Sequence, residues 1–598
     1  MSKRLVSRFR LCLVAICIMG AFGCIGARLV HLQVVQHEVL TKEVEGNRKR
    51  IVVSRARRGN ILDTNLNLLA TSRSFIEVGL DPQVLKTEDQ AKFEQLAAIL
   101  GIPATRVREA ADRRTVAVSR GTVRTIRTVR WVELHDGVDD ATYDRVLELG
   151  ITGVYGNRDY RRTYPGGDMA AHIIGYVNRE GVAVIGAENA LDFYLKGQDG
   201  WFESERDGRR NELARFRSRD IAAVDGLNAI LSIDVVVQHI VETELKRVVA
   251  KFEPLCASII VSDPMTGFIL GLANHPSFDP NHYGKADLAF QRNIAISNIL
   301  EPGSTFKVVA ASGALEEGLV GTDTQIDCGL DSVVVGRRRL PLPRDSHPHG
   351  VLSVADIVSR SSNRGAAQLG IRLGRNRLYR YAQAFGFGQE TGFLLSGEEN
   401  GILHPVRNWD ALTITRLPMG HAVGATPLQI HSAMSAIANL GILMKPQFVR
   451  YIADGEGNIV VGFEPVQRRR VISEKTARTM ASLLRRVVSP EGTAATAAIP
   501  GFEVAGKTGT TQKIVDGQYS HSHHVGSFSG FFPASRPSVA VTVIIDDARL
   551  NGTAYGTTVA APSFKAIAEQ LIPYLGVNPT EPVGKYALME NTLRDRLP

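Results

Sequence analysis

The chain has 598 residues, 44% of them hydrophobic, enough for two to four domains with sizeable cores. Its 70 Lys and Arg against 61 Asp and Glu leave a net charge of +9, yet the basic residues are scattered and no nucleic-acid motif accompanies them, so nucleic acid is excluded as the expected partner and an anionic wall or membrane surface suits the charge better. Five cysteines exclude a fold stapled by cystines, because Cys12, Cys17 and Cys24 lie in one apolar run and only Cys256 and Cys328 remain.

That run comes first in the chain. Lys3, Arg4, Arg8 and Arg10 precede an uncharged stretch, 11–27, and residues 29–35 extend it while Arg28 snorkels. The pattern predicts a cytoplasmic tail at 1–10, a transmembrane anchor at 11–35, and everything later outside the cytoplasm. A cleaved signal peptide is the rival reading. Ala21-Phe22-Gly23-Cys24 is a poor cleavage site, however, and 30–44 reads as helix continuing from the membrane.

From 48 to 226, short strand-like runs alternate with helical ones, including 89–100 and 139–149, and the Gly- and Arg-rich stretch 197–219 reads as a linking region. From 227 the pattern changes. Residues 233–252 predict an amphipathic helix, and 256–263 with 268–274 a hairpin. A helical middle follows, then strands at 504–511, 525–532 and 538–546 and a closing helix at 562–575. Strands from both ends of 227–576, framing helices, imply an antiparallel sheet with helices on it, an α+β fold. The tail, 577–598, is polar and expected to be poorly ordered.

Three motifs in the second region carry chemistry. In Glu301-Pro302-Gly303-Ser304-Thr305-Phe306-Lys307 a turn opens a helix, so Lys307 lies one turn from Ser304 on the same face. A serine hydroxyl needs a base to become a nucleophile, and Lys307 serves only when neutral, well below its free pKa of about 10.4. Burial, the positive helix end and a second cation from Lys507 would all push it down. In Ser361-Ser362-Asn363, Ser361 can relay a proton, while the amide of Asn363 can hold a substrate backbone and orient Lys307. Lys507-Thr508-Gly509-Thr510 reads as a strand on which a peptide backbone can approach Gly509 as an added strand, with Lys507 and Thr508 or Thr510 binding its terminal carboxylate. The backbone N–H groups of Ser304 and Thr510 are the candidate oxyanion hole, where a donor is worth roughly 3–4 kcal/mol. Each fragment alone is weak; the ordered trio is specific.

With these motifs the chain resembles the class B, monofunctional penicillin-binding proteins, most closely their division-type branch. The flanks fit as well: Asp263-Pro264-Met265-Thr266-Gly267, Pro276-Ser277-Phe278-Asp279-Pro280-Asn281 and Gly526-Ser527-Phe528-Ser529-Gly530. Earlier, Arg58-Gly59-Asn60-Ile61-Leu62-Asp63, Tyr160-Arg161-Arg162-Thr163-Tyr164-Pro165 and Gly186-Ala187-Glu188 resemble motifs of the family's pedestal. Thr64 and Leu66 stand where the family carries Arg and Gly, which loosens that turn. The resemblance implies a transmembrane helix, an elongated mixed α/β pedestal or dimerisation domain (48–226), and a transpeptidase domain (227–576) with an antiparallel sheet and an all-helical subdomain. It implies that Arg58, Asp63, Arg161 and Glu188 are structural residues of the pedestal, with Arg58, Arg161 and Glu188 in a buried charged network. It also implies a serine D,D-transpeptidase that cross-links peptidoglycan stems in the bacterial inner membrane, is inhibited covalently by β-lactams, and works beside a SEDS-type glycosyltransferase and other divisome proteins.

Two other functions compete. A β-lactam-hydrolysing or sensing protein would need a deacylating Glu-x-x-Leu-Asn pattern, which is missing. A non-catalytic division scaffold would have no chemical need for Lys307 or Lys507. No cofactor or metal is called for: His521, His523 and His524 read as solvated residues of a hairpin loop. Glu88-Asp89 resembles the start of a glycan-polymerase motif but lacks the His and Gly that should follow, so the glycan strands must come from elsewhere.

Overall fold

The structure, a computed structural model, describes residues 8–41, 49–120, 123–206, 212–213, 219–515, 517–550 and 552–582. Lys3, Arg4 and residues 583–598 of the expected tail lie outside these. The apolar run is one helix, Arg8–Val30, continued by a π-helical turn, His31–Val35. Its span Phe9–Val35 has a mean hydropathy of 2.2 with no part buried, which suggests a single-pass membrane anchor.

The described residues fall into two compact units, one within Met1–Arg57 and Gly197–Gly226, the other within Arg58–Lys196 and Leu227–Pro598. In the first, strand Lys49–Ser54 runs antiparallel to Gly200–Arg206, which also pairs with Arg219–Ile221. The stretch expected as a linking region is therefore partly sheet. Its Gly and Arg content masked the strand propensity of Trp201 and Phe202.

The second unit opens with β1 (Ile61–Leu62), β2 (Leu68–Leu80), α1 (Phe93–Leu100), α2 (Ala104–Asp112), β3 (Val132–Val138), α3 (Asp140–Glu148), β4 (Val154–Thr163) and α4 (Gly186–Ala190). It continues with β5 (Asn228–Leu231), α5 (Val235–Phe252), β6 (Cys256–Ser262), β7 (Ile269–His275), α6 (Lys307–Glu316), α7 (Val354–Ser359), α8 (Asn363–Leu373) and α9 (Pro427–Ala438). It ends with β8 (Val449–Ala453), β9 (Ile459–Gly462), α10 (Glu474–Val488), β10 (Ala505–Val515), β11 (Gln518–Phe532), β12 (Val539–Asp546) and α11 (Ala561–Tyr574).

One sheet has the order β9-β8-β5-β1-β2-β3, with β4 also paired to β2. Ala229 lies parallel beside Ile61 and antiparallel beside Ile452, so chain from before and after residue 227 is joined in one sheet. The apolar cluster beneath it mixes Ile61, Ala70 and Ile173 with Leu231, Leu272 and Phe448. A separate cluster, including Val78, Leu96, Leu134 and Val146, closes the region of α1 to α3.

The second sheet is antiparallel throughout, in the order β7-β6-β12-β11-β10. Phe528 and Phe532 of β11 meet Phe564 of α11 with ring centroids 4.8 and 5.9 Å apart, and all three side chains are fully buried. Each such ring contributes about 2–3 kcal/mol of burial. This packing fixes β11, and through it the edge strand β10, whose outer side is unpaired by any strand of the sheet.

Candidate active site

Ser304 sits, partly exposed, in a 3-10 turn, Gly303–Phe306, that passes directly into α6. Backbone N–H groups in such a first turn have no intrahelical acceptor, which leaves that of Ser304 available to a ligand. Gly303 (φ +55°) holds a left-handed turn, and a Cβ there would come within 2.3 Å of Thr511 Oγ1. Gly509 has a second reason to be glycine besides the approach of a substrate. A Cβ on it would lie 2.3 Å from Ser527 Oγ and 3.1 Å from Pro302 O, so the strand packs flush on the turn before the serine.

Lys307 is buried at 3% exposure and Lys507 at 0%. Lys307 Nζ donates to the backbone oxygen of Ser361, to Ser361 Oγ at 3.0 Å and to Asn363 Oδ1 at 2.7 Å. Lys507 Nζ, arriving from β10, donates to the same Ser361 Oγ at 2.9 Å and to Thr508 O at 3.2 Å. One hydroxyl thus bridges two buried amines. It can accept from one and donate to the lone pair of the other, so either lysine can be the neutral one.

The electrostatics favour neutrality. Burial pushes Lys307 well below the usual lysine range, the charge of Lys507 pushes it further, and Asp345 opposes both. Burial alone brings Lys507 down to about 7. Ser361 has φ +61°, a left-handed conformation that costs a non-glycine residue about 1–2 kcal/mol. That strain lets its carbonyl and hydroxyl face the same amine.

The middle residue of the second motif is not idle. Ser362 N-caps α8 by accepting from Gly365 N and donates to Asp345 Oδ2 at 2.8 Å. Asp345 Oδ1 also accepts from the backbone N–H of Asn363, while Asn363 Nδ2 donates to Arg344 O at 2.8 Å. That second bond assigns the amide orientation and turns Oδ1 towards Lys307. Nothing in the sequence marked Asp345, which stands 18 residues before Asn363 in a loop. Thr508 Oγ1 is 3.3 Å from Thr493 Oγ1, and Thr510 Oγ1 accepts from Gly556 N at 3.1 Å, so both threonines stand on β10 beside the lysines.

Of the pedestal residues, Arg58 and Glu188 meet: Arg58 Nε lies 2.7 Å from Glu188 Oε2, and Nη1 lies 2.5 Å from Asp192. The third member is Arg162, with Nε 2.6 Å from Glu188 Oε1, and not Arg161 as expected. Side chains alternate along β4, so Arg162 points inward at 4% exposure while Arg161, 57% exposed, reaches Asp136 and stacks on Phe75. Asp63, fully buried, accepts from Asn65 N, Asn67 N and, at 3.0 Å, from Val235 N at the start of α5. The three histidines expected in a loop lie on β11 instead. His523 Nδ1 is 2.7 Å from Asp547, and His524 is buried. Cys256 and Cys328 are free thiols, the first half-buried beside Asp546 and the second buried.

The site's setting can be compared with known proteins. Residues 257–569 match the penicillin binding protein transpeptidase domain, and 53–228 the penicillin-binding protein dimerisation domain. The chain is 33% identical to stage V sporulation protein D of Bacillus subtilis over 563 residues, covering 93% of this chain and 84% of that protein. It is 28% identical to peptidoglycan D,D-transpeptidase FtsI of Escherichia coli over 579 residues, covering 96% and 92%. Among solved structures, penicillin binding protein 3 of Mycobacterium tuberculosis complexed with aztreonam superposes with a TM-score of 0.65 at 27% identity, over 89% of this chain and 99% of that one.

Proposed function

The chain belongs to the class B penicillin-binding proteins and is a peptidoglycan D,D-transpeptidase, and from that premise we propose that Ser304 is its nucleophile, Lys307 its base, and the septum its place of work. The single observation that carries the assignment is Ser361 Oγ, 3.0 Å from one buried amine and 2.9 Å from the other. Ser304 Oγ attacks the carbonyl of the penultimate D-alanine as its proton passes to neutral Lys307. The N–H groups of Ser304 and Thr510 receive the oxyanion. When the tetrahedral species collapses, the C–N bond breaks and the departing D-alanine amine takes the proton from Lys307 through Ser361. An amine of a neighbouring stem then attacks the ester and gives its proton back along the same path, which frees Ser304 and completes the cross-link. Lys507, Thr508 and Thr510 hold the donor's terminal carboxylate, and a β-lactam reacts as the donor does but keeps its leaving group tethered.

The basic residues before the apolar helix support an N-terminus in the cytoplasm and a transpeptidase domain outside the inner membrane. A SEDS-type glycosyltransferase of the divisome would supply the strands, meeting the helix through Gly20, Gly23 and Ala27 and the pedestal near 58–70. Gly20 and Gly23 have nothing within 4 Å of an added Cβ, so a partner helix can approach there. Replacing both by Leu should weaken co-purification with that polymerase and leave membrane insertion intact; unchanged co-purification removes this face from the interface. For the nucleophile, a fluorescent penicillin should label the wild type at Ser304, located by peptide mass spectrometry. Stoichiometric labelling of a folded Ser304→Ala variant would overturn the assignment.

A further inference from the structure

Glu301 stands three residues before Ser304 and has no part in the chemistry above, yet two segments remote in sequence converge on its carboxylate. Ala422 N donates to Oε1 at 3.1 Å, and His421 Nδ1 lies 2.7 Å from Oε2. The hydroxyl of Tyr519 is 3.2 Å from Oε1 and 3.3 Å from Oε2, and it also lies 3.3 Å from His421 Nδ1. A carboxylate only accepts, so the Tyr519 hydroxyl donates to it, while the imidazole Nδ1–H is shared with the Tyr519 oxygen and lies against the carboxylate as a close polar neighbour. Burial and then the charge of Glu301 push the Tyr519 phenol up to about 12, which keeps it a donor at physiological pH. The two rings meet edge-on, 5.5 Å apart at 82°.

The partners belong to elements that frame the nucleophile. Tyr519 is on β11 opposite Ile514 of β10, in the distal half of the hairpin whose proximal half carries Lys507 to Thr510. That distal half has little core, since Ile514, Val515 and Tyr519 are all exposed. Two paired strands without packing are marginal in water, so polar contacts hold this part of the hairpin against the domain: those to Glu301 on the side of the nucleophile's turn, and Lys513 to Asp546 and His523 to Asp547 on the other. Thr511 Oγ1 adds a bond to the backbone oxygen of Glu301 at 3.1 Å.

On the other side, the turn at residues 420–422 holds one residue, Ala422, in a costly conformation. Gly420 has φ +86° and Ala422 φ +59°. Gly303 N donates to Gly420 O at 3.2 Å, and a Cβ on Gly420 would lie 2.0 Å from Gly303 O. A left-handed alanine persists only where its surroundings impose it, and here its N–H is fixed by Glu301.

We propose that Glu301, His421 and Tyr519 form a latch that clamps the β10–β11 hairpin and the 420–422 turn onto the nucleophile's turn, and that its closure sets the rate of acylation. The three are positioning residues: they keep the edge of β10, where a substrate strand pairs and where Thr510 offers its N–H, at a fixed distance from Ser304. A displacement of about 1 Å in such a frame costs up to roughly 100-fold in rate. The inference rests on Ser304 being the acylated residue.

The test is a double-mutant cycle on the full-length, detergent-solubilised protein, with Tyr519→Phe, Glu301→Gln and the pair together. Saturating acylation rate, apparent affinity for a fluorescent penicillin and thermal midpoint would be measured for each. Each single variant is expected to acylate about 5–20-fold more slowly at saturation with near-native affinity and midpoint. The double variant is expected to be no more than about twofold slower than the worse single, because the second change finds the latch already open. Multiplicative losses, wild-type rates in both singles, or a change confined to affinity would each overturn the latch. If Glu301→Gln does not fold, Tyr519→Phe with His421→Phe forms the same cycle. Wild-type protein in the same experiment separates the two readings. Absence of label on Ser304 removes the nucleophile assignment, whereas label on Ser304 with unslowed single variants removes the latch alone.

Discussion

Replacing Lys507 by Met keeps an unbranched side chain, one atom shorter, removes its charge and should move the pH dependence of acylation in a defined direction. The Nζ atoms of Lys307 and Lys507 lie 3.0 and 2.9 Å from one oxygen, so they can be no farther apart than those lengths end to end. At roughly 6 Å and an effective dielectric of about 20, two unit charges repel by about 2.8 kcal/mol, or about 2 pKa units. Burial brings Lys507 itself down to about 7. Around neutrality it therefore still carries part of its charge, and removing that charge should raise the folded pKa of Lys307. The base works only when neutral, so acylation falls as pH drops through that value, and the variant should need more alkaline solution to reach half its plateau. The assay is the acylation rate at saturating penicillin from about pH 5 to about pH 9, which sets aside any loss of carboxylate binding. An inflection that stays put, or shifts towards acid, would refute the argument that the two amines feel each other across Ser361.

Two further outcomes concern the pedestal. Arg162→Ala should destabilise the fold by about 3–5 kcal/mol because it strands part of a buried carboxylate, whereas Arg161→Ala, on the exposed face of β4, should cost under about 1 kcal/mol. Thermal midpoints of the two variants decide it, and equal losses would contradict the inward assignment of Arg162. Leu66, exposed and held at φ +65° in the turn closed by Asp63, should become more stable as Gly by about 0.5–1 kcal/mol. A lowered denaturation midpoint for Leu66→Gly would show that its side chain matters more than its backbone strain.

Local pattern was enough for the sequence to reveal much of this protein. An apolar run behind four basic residues, a turn into a helix at Ser304, a helical middle and strands at 504–511, 525–532 and 538–546 all follow from spacing within one element. The same reading named Ser304, Lys307, Ser361, Asn363 and Lys507 as one set, because three short motifs in fixed order are improbable by chance. Register and long-range packing were beyond it. Two consecutive arginines on β4 cannot be told apart until Ser72 pairs with Arg162 and Arg73 with Arg161; a slip of one residue would exchange their faces. Asp345, the joining of chain from either side of residue 227 in one sheet, and the second role of Gly509 likewise depend on neighbours supplied by other elements. The convergence of both lysines on Ser361 Oγ joins residues 54 and 146 apart in sequence. A hydroxyl between two amines is a relation among three elements, and only their packing against a common core brings those atoms within hydrogen-bonding distance.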